Sequence, residues 1–320
     1  MALLSSTKLT LAELAKRIDD SSVQTIAEVL NETNEFLADA VWIEGNQPGG
    51  HKGTIRQTLP SGTWRKLNDG VTEERSETRQ ITESCGILEA LSKVDVDLAS
   101  MASNPQQFRA TEDVAFLEGM GQEFASTFIY GNADTDPEEF NGLAPRLNDL
   151  SYGNVYNNGG SGSDLTSIYI VQWGVKKTHF IYPKNSKLGL SSEDLGKMLV
   201  DGEDSGEFLA WVTDFKIKPG LFVHDARSVI RIANIETPSS SSNSFDDDTL
   251  LRALRTLPNN GRGAVIYANS TLLADMDIDI KDKSNVNYQP SNGWGLPTEY
   301  FRGVPVRQMD AILNTESAVT

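Results

Sequence analysis

Histidines can carry acid–base or metal chemistry near neutral pH, and this chain has three: His51, His179 and His224. They lie in separate segments, without an i,i+4 pair and without acidic residues at metal-ligand spacing. Asp225 follows His224, but neighbouring residues on a strand point to opposite faces, and no Gly-x-Ser-x-Gly elbow occurs. Sequence order leaves convergence of a Ser-His-Asp triad open. We interpret the histidines as core or surface residues and predict no catalytic residue.

Two further kinds of segment could hold a ligand. Gly-Gly-Ser-Gly at residues 159–162 lacks the Lys-Ser/Thr of a phosphate-binding loop and precedes a predicted strand, where such a loop would open a helix. The acidic residues at 134–139 and 246–248 do not match the twelve-residue calcium loop. We interpret the glycine run as a flexible linker, the first acidic group as a solvated loop and the second as a helix N-terminus. We predict no metal and no cofactor.

The charge balance limits the partners of the chain. Its 320 residues carry 45 acidic and 28 basic side chains, a net charge of −17, without a basic tract. This argues against free binding to phosphate backbones; solubility alone or a container wall that does not grip enclosed DNA would explain it.

Cys85 is the only cysteine, so no intrachain disulfide is possible. The start is unlike a signal peptide and no apolar run approaches the ~20 residues of a membrane helix, so we expect a chain that does not enter a membrane and folds in a cytoplasm.

Residues 44–86 differ in composition from the rest of the chain. Thr, Ser, Arg, Gln and Glu dominate, and only seven of these 43 residues are apolar. Residues 60–62, Pro-Ser-Gly, predict a turn between two extended arms. Such a segment cannot hold a fold by itself, so we expect a hairpin arm that becomes ordered by lying on another subunit. Plain surface disorder is the alternative that the same composition allows.

Helical spacing is clearest over residues 111–130, where apolar residues recur every three or four positions: Val114, Leu117, Met120, Phe124 and Phe128. Gly119 and Gly121 predict a bend or a close approach by a neighbouring backbone, and Gly131 predicts the end of the helix. Capping signals at residues 10–13 and 21–24 predict two N-terminal amphipathic helices. Those two helices would cover the protein's own core or pack on a partner.

The remainder alternates between predicted strands and one further helix, which indicates an α+β chain. A helix opens at residues 246–248 and stops at Pro258. Residues 167–175 are apolar on both alternating faces, which predicts a strand covered on both sides. Other extended segments are predicted at residues 180–182, 221–223, 229–232, 264–267 and 300–313.

Nine short blocks follow one another along the chain, and their order and number are informative. They are AVWIE at residues 40–44, WRKLNDG at 64–70, FLEGM at 116–120, FNGLAPR at 140–146, IYIVQWG at 168–174, GLFVHDAR at 220–227, RIANI at 231–235, RGVPV at 302–306 and DAILNTE at 310–316. These blocks resemble the major capsid proteins of short-tailed bacteriophages of the epsilon-fifteen-like family, over nearly the whole chain from about Leu37. Ala226 departs from the aromatic residue expected after Asp225.

The resemblance implies the Hong Kong 97-like capsid fold and a structural, non-enzymatic role. It implies an N-terminal arm at 1–43, an extended loop at 44–86, a peripheral domain at 87–146 with a spine helix at 111–130, an axial domain at 147–269 and return strands at 270–320. It further implies pentamers and hexamers in an icosahedral shell enclosing double-stranded DNA, assembled in the host bacterial cytoplasm. The implied partners are other copies of the chain, a separate scaffolding protein, a portal protein and possible decoration proteins.

We predict that the polar arm makes the contacts between subunits. The candidate residues are two apolar anchors and five charged neighbours: Trp64, Leu67, Arg65, Lys66, Glu73, Glu74 and Arg75. Two other classes of function stay open at this point. An acidic two-lobed hydrolase would require convergent carboxylates with a shifted pKa, whereas a capsid decoration protein would bind finished particles without building them.

Overall fold

A computed structural model describes residues 36–102, 104–202, 206–237, 243–282, 288–289 and 300–320. The two predicted N-terminal helices fall almost entirely on residues 1–35 and lie outside this part, which begins with the short helix α1 (Phe36–Asp39). The chain divides into two compact units. The described part of the first contains residues 36–38, Ile87–Ala125 and Gly189–Lys218, and that of the second contains Asp39–Gly86, Ser126–Leu188 and residues from Pro219 onward.

The first unit is built on a three-stranded antiparallel sheet. Strand β4 (Leu88–Asp95) pairs with β9 (Glu207–Ile217), and β9 pairs in turn with β8 (Ser191–Asp201). The sequence did not predict β8, because nearly all its side chains are exposed and its apolar residues do not alternate. Strands β8 and β9 lie within residues 147–269 and pair with β4, which lies within residues 87–146. The domain boundaries stay a prediction.

Two helices follow β4, namely α2 (Val96–Met101) and α3 (Pro105–Tyr130). The predicted start of α3 at Thr111 is wrong, because the helix begins six residues earlier at Pro105, with Asn104 as its cap. The Asn104 Oδ1 accepts hydrogen bonds from the backbone N–H groups of Gln106 and Gln107, at 3.2 and 3.3 Å.

The end of α3 is as predicted, since the N–H of Gly131 donates to the carbonyl of Thr127 at 2.9 Å. At Gly119, however, an added Cβ would meet open space within the described chain, so no neighbouring backbone approaches this glycine. The core of the unit contains Val94, Leu98, Ala99 and Phe108.

The second unit contains a seven-stranded sheet in the order β13-β14-β15-β12-β6-β11-β5. Its strands are β5 (Val155–Asn157), β6 (Leu165–Gln172), β11 (Val229–Glu236), β12 (Ala264–Ala268), β13 (Tyr288–Gln289), β14 (Tyr300–Phe301) and β15 (Val304–Gln308). Every residue of the central β6 is buried, which confirms the strand predicted there to be covered on both faces. The extended form predicted to Leu313 ends earlier, at Gln308, where the chain turns.

Helices α4 (Asp247–Thr256) and α5 (Ser270–Asp282) belong to this unit, with short 3-10 helices at Pro145–Leu147, Ala226–Ser228 and Pro258–Gly261. Asp246 caps α4 by accepting from the N–H groups of Asp248 and Thr249, both at 3.2 Å, as its sequence signal predicts. Leu250 and Leu254 of α4 and Leu272 of α5 join the main core together with Ile170 and Ile266 of the sheet.

A smaller sheet of the second unit positions the arm. Strand β1 (Trp42–Glu44) runs parallel to β7 (Thr178–Tyr182), and β10 (Gly220–Val223) pairs with β7 on its other side. The arm is a hairpin of β2 (Gly50–Thr58) and β3 (Glu77–Ser84), paired in register from Gly50 opposite Ser84. Both predicted extended arms are therefore present.

Candidate assembly surface: the extended arm

The arm has two regions with different surroundings, which we call the tip and the root. The tip is residues 59–76, which connect β2 to β3 and have every side chain exposed. The root is the lower part of β2 and β3, from Gly50 to Gly53 and from Ile81 to Ser84, with the residues that pack against it.

Close packing at the root requires glycine. A Cβ at Gly53 would lie 2.4 Å from the ring of Phe222, and a Cβ at Gly50 would lie 2.0 Å from the backbone oxygen of Glu83. Neither distance is possible for a real Cβ, so β2 approaches its neighbours only because these positions have no side chain.

A charge pair between the buried Glu83 and the partly buried Arg146 holds β3 at the root. Arg146 donates through Nη1 and Nη2 to the two carboxylate oxygens of Glu83, at 2.7 and 2.8 Å. The same guanidinium donates from Nε to the carbonyl of Gly142 at 3.1 Å and from Nη2 to that of Asn141 at 3.1 Å. Because a planar guanidinium matches a carboxylate in this forked geometry, the pair fixes both position and orientation. The FNGLAPR block thus supplies a clamp for the arm.

The three histidines converge at the root around Phe222. The ring of Phe222 lies 4.8 Å from that of His51, 5.4 Å from that of His179 and 5.9 Å from that of His224. Burial lowers the pKa of His179 to about 4, with a further contribution from His51. Burial also lowers the pKa of His51. Spacing in the sequence did not indicate this convergence, because the three rings come from distant parts of the chain: His51 lies on β2, His179 lies on β7 and His224 directly follows β10.

The turn at the tip lies at a different place from the predicted one. The N–H of Asp69 donates to the carbonyl of Lys66 at 3.2 Å, with Asn68 in the left-handed region at φ 68°. The turn predicted at residues 60–62 is therefore wrong. At residues 60–62 the chain instead bonds to the other arm of the hairpin, since the N–H groups of Ser61 and Gly62 donate to the Glu74 carboxylate at 2.6 and 3.2 Å. These two hydrogen bonds lower the pKa of Glu74.

The predicted contact residues are all at the tip and point to solvent. Trp64 is 102% exposed and Leu67 is 94% exposed, the values of side chains that touch nothing in the described chain. Among the charged residues, Arg65 donates to the carbonyl of Asp69 at 3.1 Å and Arg75 pairs with Glu77 at 3.2 Å. Glu74 accepts hydrogen bonds from the backbone of the arm. The side chains of Lys66 and Glu73 are exposed.

A second surface that the sequence did not predict lies in the first unit. A groove of about 420 Å³ runs between β4 and α3, with an almost wholly apolar lining. The lining residues are Leu88, Glu89, Ala90, Ala115, Phe116, Gly119, Met120 and Glu123. Glu89 pairs with Lys216 at 2.9 Å. The groove is therefore an apolar trough bordered by carboxylates.

The segments tested for chemistry have structural roles. The N–H groups of Gly159 and Gly160 donate to the side chain of Asn157 and the carbonyl of Asn234, both at 2.9 Å, so the glycine run is packed and the linker interpretation is wrong. Burial raises the pKa of the Cys85 thiol to about 11, which leaves it protonated and unreactive at neutral pH.

The described chain contains no group of three or more His, Cys, Asp or Glu side chains arranged to hold a metal ion. Among its described helices, none is long and apolar enough to cross a membrane.

A buried network that the sequence did not predict ties the C-terminal segment to the main sheet. Glu316 accepts from Arg231 Nη2 at 2.9 Å and from the Tyr130 hydroxyl at 2.6 Å, and it also bonds to Ser167. Since the Arg231 and Glu316 side chains are only 6% and 4% exposed, each charge is stabilised in the core by the opposite charge of its partner. The network is part of the subunit core.

Comparisons with known proteins converge on one class. The profile of the family "Major capsid protein GP7" matches residues 19–320. The capsid structure of bacteriophage Epsilon15 is 35% identical, with a TM-score of 0.75, over 100% of this chain and 99% of that chain. The bacteriophage JBD30 capsid is 14% identical, with a TM-score of 0.51, over 95% of this chain and 99% of that chain, which supports the fold alone. No match was found among curated proteins.

Proposed function

This chain belongs to the major capsid protein GP7 family, and we propose from that premise that its copies form the pentamers and hexamers of an icosahedral shell enclosing double-stranded DNA. The α+β fold is of the Hong Kong 97-like type, and the role is structural. The chain is a component of a phage capsid that assembles with itself. The hydrolase and decoration-protein alternatives are accordingly wrong.

The exposure of the tip is the observation that supports a role for the arm in joining copies. Four large apolar side chains of this segment, Leu59, Trp64, Leu67 and Val71, are between 59% and 102% exposed. Burying a single large apolar side chain contributes about 1.5–3 kcal/mol. Two or three such residues per copy, repeated around a closed ring, would make a strong multivalent contact.

The acceptor that we propose is the apolar groove between β4 and α3 of a second copy. Trp64 and Leu67 have the apolar character to fill it, and Arg65 and Lys66 lie between them in sequence. The carboxylate of Glu123 at the edge of the groove provides the opposite charge. We assign Glu73 and Arg75 to charge pairs at the rim, where such pairs set orientation more than affinity.

The remaining partners follow from the family role. We propose a separate scaffolding protein, a portal protein, possible decoration proteins and assembly in the host bacterial cytoplasm. The net charge of −17 supports a wall that encloses DNA without sequence-specific binding.

A shortened arm tests the role of the tip. Thr58 pairs with Glu77, so replacing residues 59–76 by Asn-Gly closes the hairpin with a favoured two-residue turn. The variant should be folded and soluble, with an unchanged thermal midpoint, but should form no shells by negative-stain electron microscopy. Normal shells from this variant would overturn the role of the arm.

A blocked groove tests the acceptor. Gly119 lines the groove and an added Cβ there meets open space, so Gly119→Leu would place an apolar side chain in the groove and would favour the helix. We expect higher subunit stability and fewer shells, whereas Gly119→Ala, the matched control, should gain stability and still assemble. Equal shell yields for the two variants would exclude the groove as the acceptor.

A further inference from the structure

Two turns of the second unit place arginines at the same end of the main sheet. Arg262-Gly263 precedes β12, and Arg302-Gly303 precedes β15. Because β12 and β15 are parallel neighbours, with Ile266 opposite Val306, the two turns lie side by side. They border a cavity of about 570 Å³ that is also lined by Trp173 and Asp39.

The backbone at Arg302 is held in an unfavourable conformation. Arg302 has φ 51° and Gly303 has φ 80°, and they form the two-residue loop that joins Phe301 to Val304. Loops of this kind favour Asn, Asp or Gly at the first position, because a larger side chain is strained there. An arginine at such a strained position points to a use for its side chain beyond the turn itself.

A third arginine adjoins the same site. A smaller cavity of about 190 Å³ shares Asn260, Arg302 and Val304 with the first and is also lined by Arg255. The one carboxylate lining the larger cavity, that of Asp39, pairs with Arg307 at 3.1 Å. Across the described residues, no ion pair joins Arg255, Arg262 or Arg302 to a carboxylate. The site therefore has excess positive charge in a chain of net charge −17.

We propose that Arg255, Arg262 and Arg302 form a binding site for carboxylate side chains of a second copy of this chain. Copies that each carry −17 repel one another, and cations that are not neutralised within the subunit offset this repulsion where they meet carboxylates of a second copy. Guanidinium groups bind carboxylates through two parallel hydrogen bonds, which gives such a contact a defined geometry. This inference rests on assembly of the chain into shells and adds a contact separate from the arm.

The first test removes charge without removing bulk. Arg262→Gln with Arg302→Gln should lower the shell yield at least about tenfold, and the remaining assembly should depend less on salt concentration. Arg227→Gln is the matched control, because Arg227 is exposed and already pairs with Asp225 at 2.9 Å. It should assemble like wild type. Wild-type assembly in the double variant would overturn the proposal.

The second test separates binding from folding. Arg302→Asn places a favoured residue in the turn, so the thermal midpoint of the unassembled subunit should rise while the shell yield falls. A higher midpoint with an unchanged shell yield would overturn the proposal, and this variant decides the case if the double variant is unstable.

A third measurement distinguishes carboxylates from DNA phosphodiesters as the anions that the site binds. Wild-type subunits are titrated with a short fluorescein-labelled DNA duplex, and shells of the double variant are assayed for retained DNA. We expect no arginine-dependent DNA binding. Normal shells that lose their DNA would overturn the proposal and assign the site to phosphodiesters. Failure of wild type itself to form shells would instead contradict the proposed function.

Discussion

The tip and the root of the arm belong to one hairpin, yet their side chains have opposite surroundings. At the tip, Trp64 and Leu67 project into solvent and the hydrogen bonds are local, such as those between Glu74 and Ser61. At the root, Glu83 is buried against Arg146, and His51 packs against Phe222. The subunit itself therefore stabilises the root, whereas the tip has exposed apolar side chains, for which we propose contacts with another copy.

The largest effect on stability should come from breaking the charge pair at the root. Arg146→Gln leaves the Glu83 carboxylate buried without its cation, so we expect a loss of about 3 kcal/mol in the free energy of unfolding, measured by urea titration of unassembled subunits. Glu83→Gln combined with Arg146→Gln should recover part of this loss. A double variant less stable than Arg146→Gln would contradict the pairing.

The next largest effect on subunit stability should come from lowering the pH, which acts on the root. The pKa of His179 is lowered from 6.5 to about 4 in the folded chain, so the unfolded chain binds the proton first as the pH falls. The contribution of neutral His179 to the free energy of unfolding is fully present above about pH 6.5 and is lost as the pH falls towards 4. The total loss from this side chain is roughly 3 kcal/mol. Urea titrations across this range measure the slope, and His179→Phe should flatten it. An unchanged slope in that variant would exclude His179 as its cause.

Close packing at the root gives a smaller effect. Gly53→Ala drives a methyl group into the ring of Phe222, and we expect a loss of about 1–3 kcal/mol in unfolding free energy. Gly70→Ala, at the tip, meets open space and should be neutral. Equal effects at the two glycines would remove the distinction between root and tip.

The smallest effect on the subunit should come from the tip itself. Trp64→Ala should change the unfolding free energy by less than about 0.5 kcal/mol, because the side chain has no contact to lose. Its shell yield should nevertheless fall. Val175→Ala, which truncates another exposed apolar residue, should leave both quantities unchanged. A large loss of subunit stability in Trp64→Ala would show that the tip packs within its own chain.

The amino-acid sequence by itself determined the features that depend on neighbouring residues. Four such features act over a few residues: the apolar character of both faces of β6, the Asp246 cap of α4, the glycine that ends α3 and the polar composition of the arm. The ordered blocks of resemblance also identified the capsid family before any geometry was known.

Only the tertiary structure decided which distant residues meet. Arg146 reaches Glu83 across 63 positions, the histidine rings come from β2, β7 and the residue that follows β10, and β8 forms without a fully buried residue because β9 pairs with it. Contacts of this kind depend on strand pairing and chain closure over long separations, and local patterns of hydrophobicity carry little information about them. The arm shows both cases, since its existence was readable from composition, whereas its turn at residues 66–69 and its buried root were not.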